Sequence, residues 1–442
     1  MKPTTLLLAA LLASIGSANA ADLLETFHAA QASDPVFSSA RAAQQAGQEK
    51  LPQGRSLLLP TVNLSANSTF NDTNVQYLNR GALPFQSGTY RYNNNGYNLS
   101  LAQPLYRQQN WLIYDQAELQ VAQTDAQFKL AEQDLVLRTA QAYFDVLMAQ
   151  DNVQLAEAQK QAITEQLAQA KRNFEVGSAT ITDSQEAQAR FDLTLAQELV
   201  ARNNLEIKQS MLRQLTNAQP GVLKRLGENF KLLAPQPAKM DAWVEQAQQN
   251  SPQLAVAQAG LQLAEKEVDK ARGGHYPTLD LVANYGRNHA NGGTFGIGSD
   301  TRNANIGVVL NVPLFQGGAT SAKWREAEAN RERAQAELEN ARRTVATQTS
   351  LAYLGVVSGM AQVQALQQAL RSSESVLEAS KLGHEVGVRT NLDVLNAQQQ
   401  LYATRRDLYQ AQYNYLLSQL RLRAAVGALN EDELGKINQA LY

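Results

Sequence analysis

The chain repeats itself, and the repeat limits what it can fold into more than any other feature. Asp34-Pro35 recurs as Ser251-Pro252, and Leu59-Pro60-Thr61 as Tyr276-Pro277-Thr278, each 217 residues on. Gln103-Pro104-Leu105-Tyr106 returns as Val312-Pro313-Leu314-Phe315 after 209, and Val176-Gly177 with Asp183 returns as Val386-Gly387 with Asp393 after 210. Landmarks kept in one order at nearly one offset make each half a structural unit of the same plan.

Within a unit the hydrophobic period switches from helix to strand and back. Val62, Leu64, Ala66 and Phe70 alternate with Asn63, Ser65, Asn67, Thr69 and Asn71, and Tyr97, Leu99 and Leu101 alternate with Asn98 and Ser100. In the second half Leu279, Leu281, Ala283 and Tyr285, then Ala304, Ile306, Val308, Leu310 and Val312, keep the same alternation against polar residues. This predicts four strands, about 61–71, 95–104, 278–288 and 303–313, each with one apolar and one Asn-rich face. Pro60 and Pro277 stand where a helix must end before a strand, and Pro104 and Pro313 where each hairpin returns. From Leu105 to Val176 there is no proline, and Val121, Phe128, Leu135, Ala142, Ala149, Ala156, Ile163 and Ala170 recur at sevens, the column of a coiled-coil-like helix. The return helix of the second half carries Val394, Leu401, Leu408, Tyr415 and Leu422 at the same spacing, with Leu395, Tyr402, Tyr409 and Leu416 beside them. Many Ala and Gln positions suit a helical wall with wet surfaces rather than a solid globule.

The first residues read Lys2, an apolar run from Leu6 to Leu12, and Ser17-Ala18-Asn19-Ala20, the layout of a secretory signal cleaved after Ala20. Without residues 1–20 the chain keeps 38 basic and 41 acidic residues, a balance of −3 that argues against a nucleic-acid partner. Zero cysteines leave no thiol for a lipid anchor, a nucleophile or a metal. No later apolar run reaches about 18 residues, so a transmembrane helix is not expected, and the remaining way to satisfy a backbone inside lipid is a closed β-barrel. Four strands are too few to close one, since the smallest bacterial outer-membrane barrels have eight. Two, three or four copies would supply 8, 12 or 16 strands.

The chain resembles the TolC family of outer-membrane exit channels. The resemblance is carried by Leu59-Pro60, Ala142-Tyr143-Phe144-Asp145-Val146-Leu147, Phe174-Glu175-Val176-Gly177, Ile181-Thr182-Asp183, Ala201-Arg202-Asn203-Asn204-Leu205, His275-Tyr276-Pro277-Thr278-Leu279-Asp280-Leu281, Gln316-Gly317-Gly318, Val386-Gly387-Val388-Arg389-Thr390 and Asp393-Val394-Leu395. It implies an α+β fold: a homotrimer with a 12-stranded outer-membrane barrel, four strands per chain, continuous with a long α-helical coiled-coil barrel that crosses the periplasm to a closed tip. A small mixed equatorial segment completes each chain. The implied partners are outer-membrane lipid, a periplasmic membrane-fusion adaptor, and an inner-membrane transporter of RND, ABC or MFS type, in efflux or type I secretion; no cofactor is implied. The expected organisation is signal peptide 1–20, first repeat 21–217, equatorial segment 218–250, second repeat 251–428 and a C-terminal equatorial segment 429–442.

The candidate site is the tip. Gly177 and Gly387 suit the left-handed turn that ends a helix. Asp183 and Asp393 open the return helices, and three copies would place six carboxylates around the narrow end, a ring that favours cations. The competing role is structural: an acid at a helix start caps free N–H groups, and Asp183 with Glu186 has capping-box spacing. By resemblance, Arg389 and Asp183 link neighbouring helices as a closed-state latch, and a protonated His384 beside a carboxylate would tighten it. A lone histidine at a helix end is otherwise simply solvated. The family often has an acid one turn after the position of Asp393, where this chain has Asn396, and His384 stands where a well-known member has tyrosine. An enzyme is disfavoured, because His28, His275, His289 and His384 are scattered, and the Gly293–Gly298 stretch lies between strands rather than at a helix start. A soluble periplasmic coiled-coil scaffold or adaptor is the other reading, since it would share the heptads and the signal.

Overall fold

A computed structural model describes residues 21–78, 87–227, 230–295 and 297–441. The expected signal peptide and Gly296 of the glycine-rich loop lie outside the described residues. In chain order the elements are α1 Leu23–Ser33, α2 Pro35–Gln48, α3 Lys50–Ser56, β1 Thr61–Val75, β2 Gly88–Tyr106, α4 Gln108–Glu175, α5 Ile181–Thr216, α6 Met240–Asn250, α7 Pro252–Gly273, β3 Thr278–Ala290, β4 Ser299–Asn311, α8 Ala319–Glu385, α9 Asn391–Ala425 and α10 Glu431–Asn438. The repeat is visible element by element: α4 and α8 run for 68 and 67 residues, and α5 and α9 for 36 and 35. α6 stands 217 residues after α1 at both ends, so the helix inside the segment 218–250 is the counterpart of α1. The halves differ where Pro52 offers no N–H to the Gln48 carbonyl; the helix breaks there into α2 and α3, whereas α7 runs unbroken.

The chain forms two compact units. One comprises Met1–Ala42, Ala126–Ala255 and Asn340–Tyr442, the other Ala43–Asp125 and Val256–Glu339. In the second unit the four strands make one antiparallel sheet in the order β1-β2-β3-β4. The register stacks Val62, Leu101, Ala283 and Ile306 in one row and Leu64, Leu99, Tyr285 and Ala304 in the next, all on one face. The opposite face holds Asn63, Ser100, Asn284 and Asn305. Lipid-out and water-in is the division that a period of two produces in a membrane barrel.

The strands extend beyond their apolar alternation: β2 begins at Gly88 rather than near 95, and β1 continues to Val75, because polar residues pair as readily once the strand leaves the apolar band. β4 is shifted towards its start and ends at Asn311, before Pro313, which has no N–H for a ladder. Pro104 lies inside β2, where the register slips between Pro104 and Tyr106. The base of the sheet is tied by Arg107, whose Nε and Nη2 donate to the two Asp280 carboxylate oxygens at 2.7 and 2.6 Å.

The hydrophobic core sits in the first unit. Leu23, Phe27 and Ala30 of α1 pack with Leu135 to Leu147 of α4, Val345 to Val363 of α8, Leu408 to Leu422 of α9, Trp243, and Leu434 and Ile437 of α10. α1 begins with a complete capping box between Asp22 and Glu25. Asp34 then caps α2, accepting from the Phe37 amide at 3.1 Å, and receives Nη2 of Arg138 at 2.7 Å. Burial works against ionisation of Asp34, but the Arg138 guanidinium and the Phe37 amide outweigh it and hold the carboxyl below the usual carboxylate range. Away from this belt the core thins to two small clusters, one of Leu377, Val394, Ala397 and Leu401, the other of Leu167, Ala170 and Ala187.

Candidate functional site

Both helix-to-helix turns are built alike from local bonds. After α4 the Ser178 amide donates to the Asn173 carbonyl at 2.8 Å, and Gly177 takes φ +75°. After α8 the Val388 amide donates to the Gly383 carbonyl at 2.8 Å, and Gly387 takes φ +80°. A side chain at either glycine would be strained, which is why the Val-Gly pair recurs in both halves.

The return helices open with matching capping boxes. Thr180 caps α5: its hydroxyl accepts from the Asp183 amide at 3.3 Å, while the Asp183 carboxylate receives the Thr180 amide at 3.0 Å and its hydroxyl at 2.7 Å. Thr390 and Asp393 repeat this at 3.2, 2.8 and 2.8 Å. The helix thus begins earlier than the Asp183 and Glu186 spacing suggests, and Asp183 is the third residue of the box rather than its cap. The Thr180 hydroxyl and amide hold the Asp183 carboxyl below the usual carboxylate range, with His384 adding to the effect, and the Thr390 amide and hydroxyl, then Arg389, do so at Asp393. Since these pKa values are depressed in the folded turn, their stabilisation is present above the unfolded carboxylate value, about 3.9, and is lost as pH falls through the folded one. At neutral pH both carboxylates are charged and exposed.

One charge reaches from turn to turn, and the other stays within its own turn. His384, at the end of α8, lies close enough to Asp183 of α5 to favour its charge. Arg389 approaches the Asp393 of its own turn, Nη1 to Oδ1 at 3.9 Å, and makes no ion pair with Asp183 among the described residues. The two turns also differ in one packing detail: a Cβ at Gly383 would come within 2.6 Å of Arg389 Cγ, so the bare glycine lets the Arg389 stem lie across the helix end. The matching positions in the first turn are Asn173 and Ala179.

Arg190, which the sequence reading passed over, joins α5 to α9. Its Nη2 donates to Asn396 Oδ1 at 3.0 Å, and its Nη1 donates to Gln399 Oε1. The clue was available: Arg190 falls seven residues after Asp183, on the same helix face. Arg190 therefore brings a cation to Asn396, and its hydrogen-bond partners among the described residues are the neutral amides of Asn396 and Gln399. Nearby, Glu198 receives Lys160 at 2.6 Å and Arg202 at 2.7 Å and is 4% exposed, a cross-tie between α4 and α5.

Among the described residues no helix is long and apolar enough to cross a membrane. A sheet with a lipid-type face, joined in sequence to very long helices that turn back at charged tips, is the build of an outer-membrane channel. Residues 26–218 and 243–428 match the outer membrane efflux protein family. The outer membrane protein TolC of Vibrio cholerae is 35% identical over 424 residues, covering 96% of this chain and 94% of that one. The alkaline protease secretion protein AprF of Pseudomonas aeruginosa is 34% identical, covering 93% and 85%. The Campylobacter jejuni CmeC outer membrane channel shares the fold at a TM-score of 0.79 and 18% identity, over 95% of this chain and 89% of that one. The chain belongs to the outer membrane efflux protein family and is of the TolC type. It is an outer-membrane exit duct that reaches into the periplasm, a transport protein, and the soluble-scaffold reading gives way.

Proposed function

We propose that three copies of this chain close one 12-stranded barrel and one helical tunnel, forming a passive duct with no catalytic chemistry of its own. The observation that carries this is the sheet order: β1 and β4 are both edges, each paired on one side only among the described residues. Edges left open in lipid expose unpaired backbone groups at several kcal/mol each, so β4 of one copy must meet β1 of the next. The thin core near the turns supports a tip that can move while the belt stays rigid. A periplasmic adaptor engages that tip, and an inner-membrane transporter of RND, ABC or MFS type supplies the energy. The likeness to an alkaline protease secretion protein supports protein export beside efflux. Detergent-extracted protein should run at three times the chain mass and conduct ions in planar bilayers; a detergent-free, stable monomer would overturn the reading.

Asp183 and Asp393 act in this reading as both caps and ring. Replacing both with Asn should lower cation preference in single-channel reversal potentials, and Arg190→Gln should raise it by removing the opposing charge. An unchanged reversal potential with a lower melting temperature would leave the carboxylates as caps alone.

The latch is Arg389, Asp183 and His384, with Asp393 as the alternative seat of Arg389 within its own chain. Each exposed pair is weak on its own, and three copies released together make a useful bolt. Arg389→Ser should raise single-channel conductance. His384→Tyr, which removes the side chain that favours the Asp183 charge, should raise conductance as well. Unchanged conductance in Arg389→Ser would remove the latch.

A further inference from the structure

The outward face of the sheet changes character one step beyond its apolar rows. Next above Leu64, Leu99, Tyr285 and Ala304 come Ala66, Tyr97, Arg287 and Arg302. Arg287 and Arg302 are directly opposed across β3 and β4, a placement that brings their Cβ atoms within about 5.5 Å and is destabilising for like charges unless an anion lies between them. The chain supplies one carboxylate for the two. Asp300 takes Arg287 in a bidentate pair, with Nε and Nη2 donating at 2.9 and 2.5 Å. Arg302 is exposed and makes no hydrogen bond or ion pair among the described residues. Asp72, three outward rows beyond Ala66 on β1, already receives Arg91 at 2.9 Å. His289, opposite Asp300, adds a further exposed donor.

The height of this row is as informative as its charge. From Leu279, at the helix-joined end of β3, to Arg287 is eight residues, about 27 Å along the strand and roughly 20 Å along the membrane normal at the tilt usual in such barrels. That distance approaches the thickness of the apolar band. Tyr97 and Tyr285, with ring centroids 6.5 Å apart, mark its margin as interfacial aromatics do. The helices that reach into the periplasm join the other end of the strands, so the arginine row faces the outer leaflet.

We propose that Arg302 and Arg287, with His289 one outward row above them, form a binding site on the barrel wall for the phosphate of an outer-leaflet lipid headgroup. A phosphate between the two opposed guanidinium groups satisfies the donors that Asp300 cannot reach, and planar forks suit its oxygens. The acyl chains of the same molecule lie along Leu99, Ile306 and Val308, which are exposed in the chain.

The test uses the full-length protein in detergent, with a diphosphorylated glycolipid of lipid A type, its dephosphorylated counterpart and inorganic phosphate as probes. Ion conduction in planar bilayers by wild type and variant separates damage to the duct from damage to the site. Wild type should prefer the phosphorylated lipid, and Arg302→Gln should weaken that binding roughly tenfold, the weight of one charge-assisted hydrogen bond, while Arg302→Lys retains part of it. Equal binding of both lipids, or of both proteins, would overturn the site. So would full displacement by inorganic phosphate at concentrations comparable to the lipid's, which would make it a free-anion site. Loss of the assembled state in Arg302→Gln would also overturn it, by making a neighbouring copy's acid the true partner.

Discussion

Ile306→Arg is expected to abolish recovery of the assembled channel, while Asn305→Arg, one residue away, leaves it in the membrane. Ile306 is 74% exposed in the chain and lies mid-band on the apolar face, in row with Val62, Leu101 and Ala283. A charged side chain at the bilayer midplane of such a barrel costs about 2–4 kcal/mol. In the proposed assembly of three copies this becomes roughly 6–12 kcal/mol, comparable to the whole stability of an ordinary domain. Asn305 points to the other face, where its side chain accepts from Asn284 Nδ2 at 3.1 Å and water is available. The measurement is the fraction of each variant extracted from membranes as the assembled form. Equal yields would mean that the apolar face does not meet lipid.

Asp34→Ala should be the most costly single change in the core belt. It removes a helix cap worth about 1 kcal/mol. It also removes a charge-assisted bond from Arg138 worth about 2 kcal/mol more, with Asp34 only 3% exposed. The sum, about 3 kcal/mol, should appear as a melting temperature several degrees lower. Because the Asp34 carboxyl is depressed in the folded chain, the wild-type advantage is complete above about pH 5 and shrinks as pH falls through the folded pKa. The second half illustrates the pairing: Ser251 replaces the acid, and the position matching Arg138 is Gln348, so both charges are absent together. Adding Arg138→Gln to Asp34→Ala should therefore cost less than the two single changes summed. Strict additivity would show that the pair is not coupled.

The features readable in the sequence are those with a strong local cause. Apolar alternation places all four strands, the proline-free heptads place α4, and Val-Gly places both turns. Legibility fades where the cause is not local. The start of β2 is held by its partner strand, from Thr89 opposite Asn74 onward, and its short alternation, Tyr90 and Tyr92 against Thr89 and Arg91, puts the aromatics on the face opposite Leu99 and Leu101. α6 is hidden behind Pro220, Gly221, Pro235 and Pro237, which dominate a reading by turn residues, although its match to α1 lay in the offset. Thr180 was missed because the carboxylate three residues on drew attention to itself as the cap. Arg190 has no ion-pair partner among the described residues to announce it; the folded pair of α5 and α9 brings Asn396 and Gln399 to it.

The sheet order also sets a timetable for how the chain comes to be folded. The β1 and β2 pair, like the β3 and β4 pair, joins residues close in sequence, and each turn box is closed within three residues, so these pieces can form early on a short chain. The β2 and β3 ladder joins Asn94 to Ala290 and must wait for nearly two hundred further residues. Until it forms, each hairpin carries an apolar face and an unused edge, the combination that draws strands of separate chains together. The slow step of maturation is then the meeting of the two halves rather than the folding of either. An export-delayed or truncated chain that presents only the first half should be found in aggregates or bound to a holding chaperone.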